Sequence, residues 1–238
     1  MEEKYKLLSN VLRSLQDAGV LNCLILVGSW CQYYYRILFD NTPDIPLIRT
    51  TDIDLLVPNS PKIKKNVDIG QLLKSLGFDS DYDYSTGIIK YVHPDLEIQF
   101  VTPERGRGRD TAYNIKQLQI KAEGIRYLGI LQDNSFTMKH EDISLRIPEP
   151  EAYVLQKILA SRKRANEDKR AKDLDTAFSI GELCMQDHKR RRRMKAIFND
   201  LPKKWQKEIL KTLRDSSPDM YSHLIAPRFL IDDGKEGM

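Results

Sequence analysis

The chain has 238 residues, of which 41% are hydrophobic and 30% charged, and its formal net charge is +4. This length and composition are typical of a folded protein of two modest domains and exclude a disordered chain. No apolar run approaches the roughly 18–20 residues of a membrane helix, and the start, MEEKYKLLSN, lacks the basic and apolar pattern of a secretory signal.

The first half of the chain mixes helical and strand patterns. Apolar residues at helical spacing predict helices over residues 3–18 and 69–76, and the segment WCQYYYRIL after Gly28-Ser29 is also predicted to be helical. Short apolar runs predict four strands, at residues 23–27, 53–57, 87–92 and 96–101. The next segments predict a helix over residues 116–131 and short strands over 135–138 and 143–147.

The character of the chain changes at Ile147-Pro148-Glu149-Pro150, which we interpret as a domain junction. Beyond it, helical patterns dominate, at residues 151–166, 169–184, 190–199 and 203–213. We therefore predict an α+β fold in which a mixed sheet with flanking helices, residues 1–148, precedes a helical domain, residues 149–238.

The distribution of charge and the cysteine content indicate the kind of partner and the cellular compartment of the protein. Residues 149–214 contain 18 Lys/Arg and 10 Asp/Glu, a net of +8, which leaves −4 for the rest of the chain. This asymmetry favours a polyanionic partner, although a solvated helical surface gives the same pattern. The basic run KRRRR, 189–193, is predicted to link two helices and suits phosphate contact. Three widely spaced cysteines, Cys23, Cys31 and Cys184, without a CxxC motif, predict a cytoplasmic protein without disulfides.

Two aspartates at the head of an apolar strand are the first chemical signal. Asp52 and Asp54 in RTTDIDLLVP alternate along a strand, so both point to one face, about 7 Å apart. Such a pair needs a cation between its carboxylates or open water, because two close carboxylates repel each other. A glycine and a serine, Gly28-Ser29, lie between the preceding strand and a helix, where backbone N–H groups can contact phosphate. We therefore predict that Asp52 and Asp54 bind Mg²⁺ ions that bridge a triphosphate.

A third acid on a neighbouring strand would complete the site. The segment DLEIQ, 95–99, offers Asp95 and Glu97 on one face with Gln99 beyond, and we favour Glu97 because it lies inside the apolar run.

These motifs resemble the polymerase-β-like nucleotidyltransferase superfamily, in particular a bacterial branch with abortive-infection-type toxin nucleotidyltransferases. The likeness rests on Gly28-Ser29, on the acid pair 23 residues after Ser29, on the preceding Arg49-Thr50-Thr51 segment and on the helices that follow. A helix with Lys and Arg followed by a Lys-Asp pair is a further common feature, here Lys157, Arg162 and Lys172-Asp173. Gln99 departs from the pattern if the third carboxylate belongs at its position.

The resemblance implies transfer of a nucleoside monophosphate from an NTP, such as ATP, to an acceptor hydroxyl. Asp52, Asp54 and Glu97 would hold two Mg²⁺ or Mn²⁺ ions, and Glu97 would accept the proton of the acceptor. Nucleotide-binding residues would be Gly28, Ser29, Arg49, Lys157 and Lys172. The basic second domain favours RNA, such as a tRNA end, as the acceptor, while a protein hydroxyl and a small molecule such as an aminoglycoside stay open. A toxin or defence role is implied by the resemblance alone.

Two other hypotheses stay open at this point. The chain could be a binding module of the same fold that holds nucleotide or RNA without chemistry, which Gln99 in place of an acid favours. It could also be a metal-dependent phosphodiesterase, which would break RNA down without adding a label to it.

Overall fold

The computed structural model describes residues 2–45, 50–59, 61, 63–104 and 112–227. The chain divides into two compact units. The first comprises Met1–Leu38 with Leu47–Glu149, and the second comprises Phe39–Pro46 with Pro150–Met238. The short segment that follows the second helix therefore groups with the C-terminal part of the chain.

The first unit is a mixed sheet with flanking helices. Its helices are α1 (Glu2–Asp17), α2 (Cys31–Leu38), α3 (Ile69–Lys74) and α4 (Leu128–Asp133). Its strands are β1 (Ile25–Val27), β2 (Asp52–Leu56), β3 (Asp79–Tyr82), β4 (Ile89–Val92), β5 (Glu97–Pro103), β6 (Tyr113–Ile115), β7 (Ile120–Ile125), β8 (Ser135–His140) and β9 (Ile143–Pro148).

The strand order places the two acid-bearing strands side by side in the middle of the sheet. The order is β3-β4-β5-β2-β1-β9-β8, and β7 pairs with both β5 and β6. β2 runs parallel to β5 and antiparallel to β1, whereas β9 runs parallel to β1. The apolar residues of β1, β2 and β5 are buried, and β1 is a continuous hydrophobic run.

Most of the predicted elements of this unit are confirmed, but the helix predicted over residues 116–131 is wrong. The segment contains a short 3₁₀ turn, Lys116–Leu118, then β7 and α4. Ile120 and Ala122 are buried and alternate with half-buried neighbours, the period of a strand. Gln119 and Tyr127 have φ values of +55° and +66°, a conformation that interrupts a helix. Pairing with β5 and β6 therefore determines that this segment forms a strand. The exposed strand β3 was also not predicted from the sequence.

The second unit is helical. It contains α5 (Pro150–Ser161), α6 (Glu167–Gln186), α7 (His188–Asp200), α8 (Lys203–Ser216) and α9 (Pro218–Ile225). α5 is apolar on nearly all sides and packs against α6, α7 and α8. A mixed α+β unit followed by helices confirms the predicted fold class. Within the described ranges, no helix is long and apolar enough to cross a membrane.

The basic run 189–193 lies inside α7, and its prediction as a link between helices is wrong. Asp187 caps the start of this helix and accepts hydrogen bonds from the backbone N–H groups of Lys189 and Arg190, at 2.7 and 2.9 Å. Arg190 also contacts the buried Glu151 carboxylate at 3.1 Å and lies 4.8 Å from the centre of the Phe39 ring. The cap and these contacts extend helical structure through a segment that its charge alone would leave solvated.

Candidate active site

The acid pair lies on one face of β2. Asp52 is exposed and Asp54 half-buried, while Ile53 between them is buried on the opposite face. The parallel register with β5 sets Asp52 beside Glu97 and Asp54 beside Gln99. Neighbouring strands are about 4.8 Å apart, so these four side chains share one patch of the sheet. The structure thus brings together three acids, Asp52, Asp54 and Glu97, and the amide of Gln99.

Gly28 lies directly against the second aspartate. Val27 pairs with Asp54 across β1 and β2, and Gly28 follows with a φ of +74°. A Cβ atom at Gly28 would lie 2.2 Å from Asp54 Oδ2, closer than real Cβ atoms approach any neighbour. The position therefore requires glycine for two reasons, its left-handed backbone and the space that the carboxylate fills.

A helical turn begins at this glycine. Gly28–Trp30 forms a 3₁₀ turn, and the N–H group of Cys31 donates to the carbonyls of Gly28 and Ser29 as α2 begins. Val27 precedes the turn, and the described residues include no side chain that caps it. Ser29 is half-buried beside the acid pair. This arrangement is suited to bind a nucleoside triphosphate with its cation, because a glycine, a serine hydroxyl and the start of a helical segment lie next to two carboxylates.

Lys90 provides a cation within the acid patch. Its Nζ atom donates to Glu97 Oε1 at 2.6 Å, and its side chain is 41% exposed. The hydrogen bond that Lys90 donates to Glu97 raises the pKa of Lys90, and the charges of Asp52 and Glu123 act in the same direction. The ammonium of Lys90 therefore lies against Glu97, the proposed third acid of the site.

Glu123 is an acid of this patch that the sequence analysis missed. It lies on β7, half-buried, and pairs in register with Val101 of β5. Its carboxylate accepts a hydrogen bond from Gln99 Nε2. Because residues 116–131 were predicted to be a helix, Glu123 could not be assigned to the sheet. The alternation of buried Ile120 and Ala122 with half-buried neighbours was the signal that could have located it.

The residues present are suited to bind a divalent cation whose remaining ligands come from the substrate. Within the part of the chain that the structure describes, no group of three or more His, Cys, Asp and Glu side chains is arranged to hold a metal. Mg²⁺, however, is usually bound through one or two carboxylates together with substrate phosphates, and seldom by an all-protein cage. Asp52 and Asp54 supply such a pair of hard oxygen donors, and Gly28 leaves the space for one of them.

The second unit contains a separate buried ion pair. Asp173 on α6 contacts Lys157 of α5 at 2.6 Å and Arg164 at 2.9 Å. Burial disfavours the Lys157 ammonium, but Tyr153 and Asp173 outweigh it, so the pKa of Lys157 is raised. Burial likewise acts to raise the pKa of Asp173, but Lys157 and Arg164 outweigh it and lower that pKa overall. These contacts join α5 to α6, and a phosphate at Lys157 would compete with Asp173 for the ammonium.

The two remaining predicted residues are placed as follows. Lys172 is exposed on α6, next to the buried Asp173. Arg49 lies outside the described residues. The roles predicted for both remain predictions.

Comparison with known proteins agrees with this geometry. A family model described as nucleotidyltransferase matches residues 6–201. An antigenic nucleotidyltransferase-like protein from Paracoccidioides brasiliensis is similar in fold, with 18% identity and a TM-score of 0.51 over 94% of this chain and 93% of that one. The antibiotic-resistance factor ANT(2'')-Ia is 14% identical, with a TM-score of 0.44 over 82% of this chain and 90% of that one, a similarity too low to support an argument. No curated protein matches the chain significantly.

Proposed function

The chain belongs to the nucleotidyltransferase family, and from this premise we propose that it transfers a nucleoside monophosphate from an NTP to an acceptor hydroxyl. In this reaction the acceptor oxygen forms a bond to the α-phosphorus, the bond from that phosphorus to the bridging oxygen breaks, and pyrophosphate leaves. The observation that carries the proposal is the pair Asp52 and Asp54 on one face of β2, with the Asp54 carboxylate against Gly28.

The residues of the first unit have distinct proposed roles. Asp52, Asp54 and Glu97 would hold two divalent cations, Mg²⁺ or Mn²⁺, which when bound would neutralise phosphate charge and stabilise the attacking and leaving oxygens. The backbone at Gly28 and the hydroxyl of Ser29 orient the triphosphate. The Glu97 carboxylate accepts the acceptor's proton, and Lys90, bonded to Oε1, holds that carboxylate in position.

Three further residues, Lys157, Lys172 and Arg49, are proposed ligands of the phosphates. Lys157 is already bonded to Asp173, so it would balance phosphate charge only by sharing its ammonium. Lys172 is exposed and available for contact with an anion. Arg49 precedes Asp52 by three residues in the sequence and would add a guanidinium for phosphate contact.

We further propose RNA, for example a tRNA end, as the acceptor. The net charge of +8 over residues 149–214 supports a polyanionic substrate. The resemblance to abortive-infection-type enzymes supports a toxin or defence role in which modified RNA arrests growth. Induced expression in a bacterial host should then stop growth, and Asp52→Asn should restore it.

A labelling experiment tests the chemistry directly. The protein is incubated with each α-labelled NTP, Mg²⁺ and total RNA, and label in RNA is measured for wild type, Asp52→Asn and Asp54→Asn. Asp79 and Asp81 on the exposed strand β3 provide a matched control, because they form a second Asp-x-Asp pair that β4 and β5 separate from β2. We expect label transfer to vanish in the β2 variants and to persist in Asp79→Asn/Asp81→Asn.

A binding module without chemistry is the second candidate. It is favoured by Gln99, which occupies the strand position beside Asp54, and by the pairing of Glu97 with Lys90. Nucleotide binding without label in any acceptor would support the module and contradict the transferase. Shortened RNA that gains no label would instead indicate a phosphodiesterase.

A further inference from the structure

The exposed face of α8 carries a row of basic side chains that we call the α8 basic stripe, namely Lys204, Lys207, Lys211 and Arg214. These residues are spaced by three, four and three positions, so they lie on one side of the helix, and all four are exposed. The row extends about 15 Å along the helix axis at 1.5 Å per residue. The opposite side of α8 is buried, with Gln206, Ile209 and Leu213.

Within the ranges that the structure describes, no ion pair joins any of the four stripe residues to another residue. Arg214 lies 5.9 Å from the centre of the Tyr221 ring, a contact that keeps its charge. Of the two acids on α8, Glu208 is bonded to Arg162, and Asp215 lies at the C-terminal end. Like charges three and four positions apart destabilise a helix, so an external anion would relieve a repulsion that the fold retains.

The basic run 189–193 is less suited to that role than its sequence indicates. Arg190 is bonded to Glu151 and lies over Phe39, and Arg191 is half-buried. Part of this charge is therefore used inside the second unit, whereas the whole α8 basic stripe faces outward.

We propose that the α8 basic stripe binds the phosphate backbone of a nucleic acid, and that it holds the RNA acceptor of the reaction. This inference rests on the proposed function for the choice of RNA. A nucleic acid fits better than a membrane, because a helix that lies on a bilayer needs its apolar face free, and the Ile209 and Leu213 face is buried.

The experiment measures RNA binding by fluorescence anisotropy without NTP or divalent cation. A labelled single-stranded RNA of about 20 nucleotides is titrated at salt concentrations between about 50 and 200 mM. The test variant is Lys204→Gln/Lys207→Gln/Lys211→Gln. The control, Lys163→Gln/Lys169→Gln/Arg170→Gln, removes the same charge from exposed positions of the same unit. Glutamine is a good helix former, and circular dichroism verifies folding.

Each phosphate contact contributes about 0.7 to the slope of log K against log salt for a single strand. We expect the test variant to lower that slope by about 2 and to weaken binding at least about tenfold at low salt, and the control to change the slope by less than about 1. Equal effects in both variants, or no effect in either, would overturn the proposal. The proposal would also be overturned if the test variant lost binding to phosphatidylserine vesicles while its RNA binding stayed intact, because the partner would then be a membrane.

This test is separate from that of the reaction. Asp52→Asn should leave the RNA slope unchanged. If label transfer fails while the slope responds to the stripe, the proposed reaction is wrong and the surface stands. If label transfer occurs and the stripe variant leaves the slope unchanged, the proposed reaction stands and only the proposed RNA-binding surface is wrong.

Discussion

Replacement of Gly28 by alanine should inactivate the protein while leaving it folded. The added Cβ would lie 2.2 Å from Asp54 Oδ2, whereas real Cβ contacts stay beyond 3.0 Å. The carboxylate must therefore retreat by about 1 Å, and a misplacement of that size can cost about 100-fold in rate. The left-handed backbone at φ +74° adds a cost of about 1–2 kcal/mol in the free energy of unfolding.

Gly87→Ala is the matched control for this prediction. Gly87 has the same φ of +74°, but its Cβ would meet only the end of the flexible Lys121 side chain, at 3.5 Å. Both variants should lose about 1–2 kcal/mol of stability by urea denaturation, because both bring alanine into the left-handed region. Only Gly28→Ala should lose about 100-fold in the rate of label transfer and bind Mn²⁺ more weakly by titration calorimetry. Equal activity in the two variants would refute the contact between Gly28 and Asp54 as a requirement of the site.

Two further predictions concern the charged groups. Lys90→Met should tighten Mn²⁺ binding about threefold in calorimetry, because Glu97 loses an ammonium and partly exposed pairs contribute up to about 1 kcal/mol; unchanged affinity would show that Lys90 does not compete with the cation. Asp173→Asn should lower the free energy of unfolding by about 3 kcal/mol, since Lys157 would be left buried and unpaired, and Asp175→Asn, exposed on the same helix, should have little effect. Because the pKa of Asp173 is lowered in the folded protein, its contribution is full above the unfolded value of about 3.9 and is lost as pH falls through the folded value. The difference between wild type and Asp173→Asn in urea denaturation should therefore shrink below about pH 4, and a difference independent of pH would contradict the ion pair.

The sequence was most informative where local pattern and burial agree. The apolar residues of β1 and β2 are buried, so their hydrophobic stretches located both strands, and Val27, which precedes Gly28, pairs with Asp54. The acid patch was harder to predict because its members meet only through strand order. Glu123 reaches Gln99 because β7 pairs with β5, a contact between positions 24 residues apart.

The ion pairs of the charged residues were the hardest feature to predict, because their partners lie far along the chain. Arg190 belongs to a run of five basic residues, yet Glu151, 39 positions earlier, binds it. The two adjacent residues of the Lys172-Asp173 motif likewise differ in environment, because Asp173 is buried with Lys157 whereas Lys172 is exposed.

The parallel pairing of β1 with β9 has a consequence for how the first unit can be produced. Ile25 pairs with Arg146, and Arg13 of α1 contacts Asp142 at 2.7 Å. The pairing of β1 is therefore complete only when the last strand of the unit, β9, is present. During synthesis, the outer edge of β1 would stay unpaired until that strand emerges, and an open hydrophobic edge invites aggregation. Fragments designed to isolate the acid-bearing sheet should therefore extend through Pro148.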